Sequence, residues 1–283
     1  MVLVIAAAAF MAGLFLLFRA FEQWRVDLLP AIVINYFTAA LLGMLVAPPW
    51  AVDGIGHLLP STALLGLGFI SVFLLTGVSA QRAGVAPTTV ASKMSLVLTV
   101  AGAVILYHED PGPWGWAGTV VALFGVALAS WSGGTRMKGA WLLPLLLFIG
   151  NAIIDLSIAH IRSTQLTTLT EGVFPGLVFS AAGTYGLLVL LFSKLRRSLR
   201  EPRTWGAGVL LGLTNYASLH FVVRSLSASG LPVSAVYPLI NVLVILIGTF
   251  ASLFIFQERI TGQRWAGIAL SVLALIMLLA ARA

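Results

Sequence analysis

Cysteine is absent from this sequence, and charged residues are scarce. None of the 283 residues is a cysteine, which excludes disulfides and thiolate metal sites. Asp, Glu, Lys and Arg together make up 9% of the chain, whereas soluble domains carry about a quarter. Hydrophobic residues account for 60%. The composition therefore excludes an ordinary soluble globule.

The signatures of common enzymes and cofactor sites are also missing. The sequence contains no HExxH, no GxxxxGK[ST] and no GxSxG, which are the signatures of zinc peptidases, nucleotide-binding loops and serine hydrolases. We therefore predict that the protein is not an enzyme and uses no cofactor. No metal site is predicted, because metal ligands need a local spacing that the four histidines lack: His57, His108, His160 and His220.

Apolar stretches of about 20 residues recur along the whole chain, and a helix of that length crosses the hydrocarbon core of a bilayer. The first stretch begins almost at Met1 without a basic segment, so it is not predicted to be a cleavable signal peptide. The sequence predicts an all-α membrane protein with ten transmembrane helices: 2–18, 30–47, 61–80, 87–107, 114–131, 140–161, 173–193, 205–226, 232–256 and 263–281.

Basic residues are distributed unevenly between the two sides of the predicted membrane. The side of the N-terminus holds only Arg162, Arg224 and Arg282. The opposite side holds twelve: Arg19, Arg25, Arg82, Arg136, Lys138, Lys194, Arg196, Arg197, Arg200, Arg203, Arg259 and Arg264. Because Lys and Arg are enriched on the cytoplasmic side, both termini are predicted to be non-cytoplasmic. Topology thus explains the net charge of +7, and no nucleic-acid partner is predicted.

An internal repeat relates the two halves of the chain, 1–134 and 135–283. Each half holds five predicted spans, an odd number, so the second half enters the membrane from the opposite side, as in the inverted repeats of many transporters. A shift of 146 residues places Gly66-Leu67 on Gly212-Leu213, Ser79 on Ser225, Gly84 on Gly230, Val90 on Val236 and Gly102 on Gly248. A slightly larger shift places Glu109 on Glu258 and Trp116-Ala117-Gly118 on Trp265-Ala266-Gly267.

The last span of each half carries a family resemblance. FQERITGQRWAGIALSVLALIML (256–278), and more loosely LYHEDPGPWGWAGTVVALFGVAL (106–128), resemble the EamA-like members of the drug/metabolite transporter (DMT) superfamily. The resemblance implies ten helices in two inverted five-helix repeats, and a multi-pass transporter, more often an exporter, in a bacterial inner (plasma) membrane. It also implies cytoplasmic termini, opposite to the charge distribution. The predicted partners are a small-molecule substrate and the lipid bilayer, with a monomer or a homodimer as the assembly.

Ionisable residues inside membrane spans usually face the bundle interior and mark functional sites. Asn151, Asp155 and Arg162 share one face of the sixth span. Asp155 either carries a proton or pairs permanently with Lys93 or Arg162. His220 in the eighth span either carries protons or makes a static hydrogen bond. The predicted substrate-binding residues are Lys93, Asn35, Tyr36, Asn151, Asp155, Asn215, His220, Tyr237 and Asn241, with Asp155 and His220 as candidates for proton coupling.

Lys93 is the most unusual of these residues. It lies about six residues inside its span, where its ammonium either reaches back to the interface or faces a central cavity. Its counterpart in the second half is Leu239, so the repeated backbone does not need a charge there. We predict that Lys93 faces the cavity and either meets Asp155 or binds an anionic group of the solute. A small-residue stripe on the same span is interpreted mainly as close packing: Ser92, Ser95, Thr99 and Gly102.

These patterns predict a secondary active transporter of a small polar metabolite, such as an amino acid or organic anion, that works by alternating access. The alternative is a flippase for a lipid or polyprenyl head group, or a membrane-embedded enzyme, in which Lys93, Arg162 and Arg224 would bind phosphate. Glu109 and Glu258 are predicted to have structural roles at span ends.

Overall fold

The computed structural model describes residues 1–82, 92–108, 110–130, 142–256 and 262–280. All regular secondary structure in these ranges is helical. The α-helices are α1 (Val2–Gln23), α2 (Leu28–Val46), α3 (Leu59–Arg82), α4 (Leu96–Tyr107), α5 (Gly112–Ser130), α6 (Leu142–Thr164), α7 (Phe174–Leu191), α8 (Pro202–Ala228), α9 (Val233–Phe256) and α10 (Gly262–Ala280). Residues 92–94 are also helical and are joined to α4 by a turn at Ser95. Short 3₁₀ helices lie at Pro49–Ala51, Ile55–Leu58 and Lys194–Arg200.

Proline and glycine mark where several of these helices begin and end. Helix α8 starts at Pro202, where the missing N–H would have had no helical partner. It is followed by Gly230, whose φ of 70° suits a residue without a side chain. Helix α9 continues through Pro238, although proline removes one hydrogen bond of the helix.

The helical positions match the predicted spans to within a few residues. Among the helix ends that the structure describes, the largest difference is at α1, which continues to Gln23 although the apolar run ends at residue 18. The added residues, RAFEQ, are mostly good helix formers, so the helix extends beyond its apolar part. The predicted start of the fourth span, at residue 87, lies outside the described residues.

Helices in a bilayer satisfy their own backbone groups, which is why apolar helices can cross it. In the described part of the chain, five helical segments are long and apolar enough to do so: Leu28–Ala51, Ile55–Thr76, Leu145–Thr164, Phe174–Leu191 and Pro202–Ala228. The protein is therefore all-helical in its described part, with the long apolar helices typical of a membrane-embedded protein.

The helix packing relates α1–α5 to α6–α10. Three contacts join a helix to its own counterpart: α2 with α7, α4 with α9, and α5 with α10. Eight of the other contacts form four pairs that interchange when α1–α5 are exchanged with α6–α10: α1–α8 with α3–α6, α2–α8 with α3–α7, α1–α9 with α4–α6, and α9–α10 with α4–α5. The first five helices thus interlock with the last five.

Helices α2 and α7 pack closely through glycines and run antiparallel. A Cβ atom on Gly43 would lie 2.6 Å from the Cα of Gly176. Further along, Gly183 meets Tyr36, and Gly186 meets Val33. Contact positions descend along α2 as they ascend along α7, so the two helices have opposite directions.

Two glycines related by the 146-residue shift make related contacts. A Cβ atom on Gly66 would lie 2.6 Å from the Cβ of Ala181, and one on Gly212 would lie 2.6 Å from the carbonyl oxygen of Asn35. Asn35 and Ala181 are themselves separated by the same shift. The approach of α3 to α7 therefore corresponds to the approach of α8 to α2.

Substituting Gly212 with alanine should destabilise the fold. The new methyl group would clash with the Asn35 carbonyl and with the Thr38 side chain, and overpacking of this kind costs about 1–3 kcal/mol. Gly206 in the same helix is the matched control, because a Cβ atom there meets nothing within 4 Å. We expect Gly212→Ala to lower the unfolding temperature in detergent and Gly206→Ala to leave it unchanged or raise it. Equal unfolding temperatures would contradict the close approach of α8 to α2.

A candidate functional site between α4, α6 and α9

Lys93 lies in the helical residues just before α4, and its position is buried, with 6% of the residue exposed. Its Nζ donates a hydrogen bond to Oδ1 of Asn241 in α9 at 3.3 Å. Burial of an ammonium is costly unless hydrogen bonds and opposite charge compensate it. The amide of Asn241 supplies part of that compensation.

Asp155, near the middle of α6, supplies the opposite charge. Its carboxylate interacts electrostatically with the Lys93 ammonium. Its Oδ2 accepts a hydrogen bond from the hydroxyl of Thr99 in α4 at 3.3 Å. That hydroxyl is also 3.2 Å from the carbonyl oxygen of Ser95, so its single proton is shared between two acceptors. Asp155 as a whole residue is half-buried, whereas Lys93 is buried.

Tyr237 and Asn241, one turn apart in α9, bond this helix to α6 and to Lys93. The Tyr237 hydroxyl donates to the main-chain oxygen of Asp155 at 2.7 Å. Nδ2 of Asn241 donates to the main-chain oxygen of Tyr237 at 3.1 Å, while its Oδ1 accepts from Lys93. The amide of Asn241 is thus held at both ends, and α9 is connected to the α4 region and to α6.

These five residues form what we term the polar cluster: Lys93, Thr99, Asp155, Tyr237 and Asn241. Four of them are predicted from sequence, and the structure brings them together. Sequence analysis assigned Thr99 to a packing stripe, because nothing in the sequence distinguishes it from the other small hydroxyls in its span, whereas its hydroxyl bonds Asp155. Gly102 on the same stripe does pack closely, since a Cβ atom there would lie 2.5 Å from Cδ1 of Leu156.

Asn35 and Asn215 form a second polar contact, between α2 and α8. Both residues are buried. Nδ2 of Asn215 donates to Oδ1 of Asn35 at 3.1 Å, and Nδ2 of Asn35 donates to the carbonyl oxygen of Ile32 at 3.3 Å. These two hydrogen bonds lie between α2 and α8 and within α2, and neither involves a residue of the polar cluster. The pair connects the two sets of helices at the close approach made by Gly212.

The two asparagines should be energetically coupled. Asn215→Ala leaves Oδ1 of Asn35 buried without its donor, which costs about 1–3 kcal/mol. The double variant Asn35→Ala/Asn215→Ala removes both groups, so its destabilisation should be smaller than the sum of the single effects by about 0.6–1.7 kcal/mol. Chemical unfolding of the wild type and the three variants in detergent measures this difference. Strictly additive losses would contradict the coupling.

Three other predicted residues lie outside the polar cluster. Asn151 donates to the carbonyl oxygen of Leu147 in its own helix at 2.8 Å. Tyr36 is fully buried, with its ring centroid 6.0 Å from that of Phe179. The ring of His220 stacks on that of Tyr216 at 5.7 Å. Their contribution to a substrate site stays a prediction.

The ends of α6 and α8 carry a separate charged group. Arg224 approaches Glu171, with Nε 3.8 Å from Oε1, and Nε of Arg162 donates to Oγ of Ser227 at 3.1 Å. Arg162 therefore reaches α8 rather than Asp155 in this arrangement. Glu171 was not among the predicted residues, although it is the one acid between α6 and α7. Glu109 and Glu258 lie outside the described residues.

Comparisons with known proteins establish the fold and do not bear on the activity. No protein-family model matches the chain. A protein of Haemophilus influenzae described as uncharacterized is 25% identical over 267 residues, which cover 88% of this chain and 87% of that protein. One crystal structure superposes with a TM-score of 0.76 at 15% identity, covering 98% of this chain and 96% of the other. The chain therefore shares its fold, over nearly its whole length, with an experimentally determined structure.

Proposed function

We propose that the protein is a secondary active transporter of a small polar metabolite, such as an amino acid or an organic anion. The polar cluster is the observation that carries this proposal. It places a buried lysine beside an aspartate within a strongly apolar helical bundle, and such residues mark substrate or ion pathways in membrane proteins.

The paired helix contacts support the architecture that the proposal requires. In this proposal the ten helices all cross the membrane, as two inverted repeats, 1–134 and 135–283, with non-cytoplasmic termini. In two inverted repeats, corresponding helices cross the membrane in opposite directions, and α2 and α7 are antiparallel in this way. The substrate of such a protein binds near the midplane between the repeats, and one repeat moves against the other to expose it alternately on each side. Lys93 belongs to the first repeat, whereas Asp155 and Asn241 belong to the second.

The chemistry of the polar cluster suggests how solute and proton are coupled. In the unloaded site, Asp155 neutralises the Lys93 ammonium. A solute carboxylate that pairs with Lys93 takes over that role and leaves the aspartate as an excess negative charge. Because uncompensated charge is costly inside a membrane, a proton on Asp155 accompanies the solute. Tyr237 and Asn241 hold the helices that carry these groups, and the resemblance to EamA-like transporters favours export.

Transport by purified protein in liposomes tests the proposal. Radiolabelled amino acids and small carboxylates are loaded inside or added outside, with and without a pH gradient. We expect saturable movement of at least one class of solute that is stimulated by the gradient. Protein-free liposomes are the control for leakage. If no solute moves under any gradient, the transporter assignment is wrong.

A further inference from the structure

Four cations are concentrated in the connection between α7 and α8. Lys194, Arg196, Arg197 and Arg200 are exposed on the short helix Lys194–Arg200. Within the described residues none of the four belongs to a salt bridge. The neighbouring acid, Glu201, is already bonded to Arg203 at 2.6 Å. A second acid, Asp27, lies beside Ser198 of the same short helix. The connection therefore presents a surface with an excess of positive charge.

This connection has a defined conformation. The Ser193 hydroxyl accepts a hydrogen bond from the main-chain N–H of Leu195 at 3.1 Å. The Ser198 hydroxyl donates to the carboxylate of Asp27 at the start of α2. The indole of Trp205 donates to the carbonyl oxygen of Leu199 at 2.8 Å. These bonds hold the main chain that carries the four cations, so a ligand would not have to order the backbone of the segment that binds it.

A groove of about 540 Å³ opens beside the cations. Its lining combines the apolar end of α7 with basic side chains: Leu191, Phe192, Ser193, Lys194, Arg196 and Arg197. Phe192 is 92% exposed, and Leu188 and Leu191 are also exposed. One wall of the groove is thus continuous with the apolar outer surface of α7, and the other is cationic.

We propose that this groove binds an anionic phospholipid of the cytoplasmic leaflet. The guanidinium groups of Arg196 and Arg197 match the planar, two-point geometry of phosphate oxygens, and basic groups beside a membrane helix attract anionic head groups. Acyl chains lie along the exposed apolar surface of α7. Membrane topology alone explains why cations lie in this connection. It does not explain why the turn that carries them is ordered, or why Phe192 is exposed beside them. A phenylalanine next to cationic residues can bury its ring among the acyl chains just below the head groups.

Native mass spectrometry of the purified full-length protein tests this site independently of transport. The protein is titrated in detergent with phosphatidylglycerol and, separately, with phosphatidylcholine. We expect phosphatidylglycerol to bind at least tenfold more tightly, and Lys194→Gln/Arg196→Gln/Arg197→Gln to lose most of that preference, because each cation contributes about fivefold near a membrane. The single variant Arg197→Gln should lose about fivefold.

The matched control is Arg136→Gln/Lys138→Gln/Arg259→Gln, which removes the same charge from other connections on the same predicted side. It should keep the preference for phosphatidylglycerol, and an excess of inorganic phosphate should not displace the lipid. Equal affinity of the wild type for both lipids would overturn the proposal. So would a control variant that loses as much preference as the groove variant, or displacement of the lipid by phosphate alone.

Discussion

A Lys93→Leu variant should fold normally and lose transport. Leucine is the residue that the repeat places at the corresponding position, where Leu239 is fully buried. The substitution removes the ammonium that binds the solute anion and leaves Asp155 without its counter-charge. Truncating one partner of a buried charged contact costs about 2–5 kcal/mol, so the apparent affinity should fall by about 30-fold or more. Liposome uptake over a range of solute concentrations measures this loss.

Two further variants separate the site from general effects of charge. Lys93→Arg retains the positive charge and should keep part of the activity, whereas Lys194→Leu removes an exposed cation and should transport normally. The unfolding temperature of each variant in detergent shows whether it has folded. Unchanged kinetics in Lys93→Leu would mean that its ammonium only reaches toward the interface and takes no part in transport.

The helices are predictable from the sequence because their physical cause is local. Runs of about 20 apolar residues are long enough to cross a bilayer, and a helix satisfies its backbone groups without reference to the rest of the chain. The predicted end of α1 was several residues too early, because hydropathy falls at Arg19 whereas helix propensity stays high through Gln23. How the helices pair depends on distant contacts, such as Gly212 with Asn35, that hydropathy does not encode.

Four of the five residues of the polar cluster are predictable from the sequence. Lys93 and Asp155 stand out because charge is rare and costly in an apolar segment. Thr99 does not stand out, since a hydroxyl in a membrane helix usually bonds its own backbone, as Thr119 does. Asn151 is the opposite case: it stands out in the sequence and lies one turn from Asp155, yet its side chain bonds Leu147 in its own helix. A polar residue identifies a candidate, and only tertiary packing decides its partner.

The repeat offers a reason for the location of the polar cluster. With the 146-residue shift, Lys93 corresponds to Leu239, Asp155 to Ala9 and Asn241 to Ser95. Each of these positions is more polar in one half than in the other. The related glycine contacts keep the two backbones similar, while the charged groups occur once. In the proposed transporter, a symmetric framework thereby acquires a single asymmetric site at which one solute can be selected.

Replacing Asp155 with asparagine should uncouple transport from the proton gradient. Asparagine has nearly the same shape and can still accept the hydrogen bond from Thr99, but it cannot carry a proton. The Lys93 ammonium then lacks its resident counter-charge, so an anionic solute should bind more tightly, by up to about tenfold for each 1.4 kcal/mol of competition that is removed. Solute exchange between equal pH values should therefore continue, while stimulation by a pH gradient should disappear.

The comparison of exchange with gradient-driven uptake distinguishes a proton carrier from a structural partner of Lys93. Asp53→Asn, at an exposed acid in the α2–α3 connection, is the control and should keep its response to the gradient. If Asp155→Asn responds to the gradient as the wild type does, the aspartate only stabilises the ammonium, and His220 becomes the remaining candidate. If exchange is lost as well and the variant is folded, the carboxylate is needed for the conformational change itself, because an unpaired ammonium would then hold the site in one state.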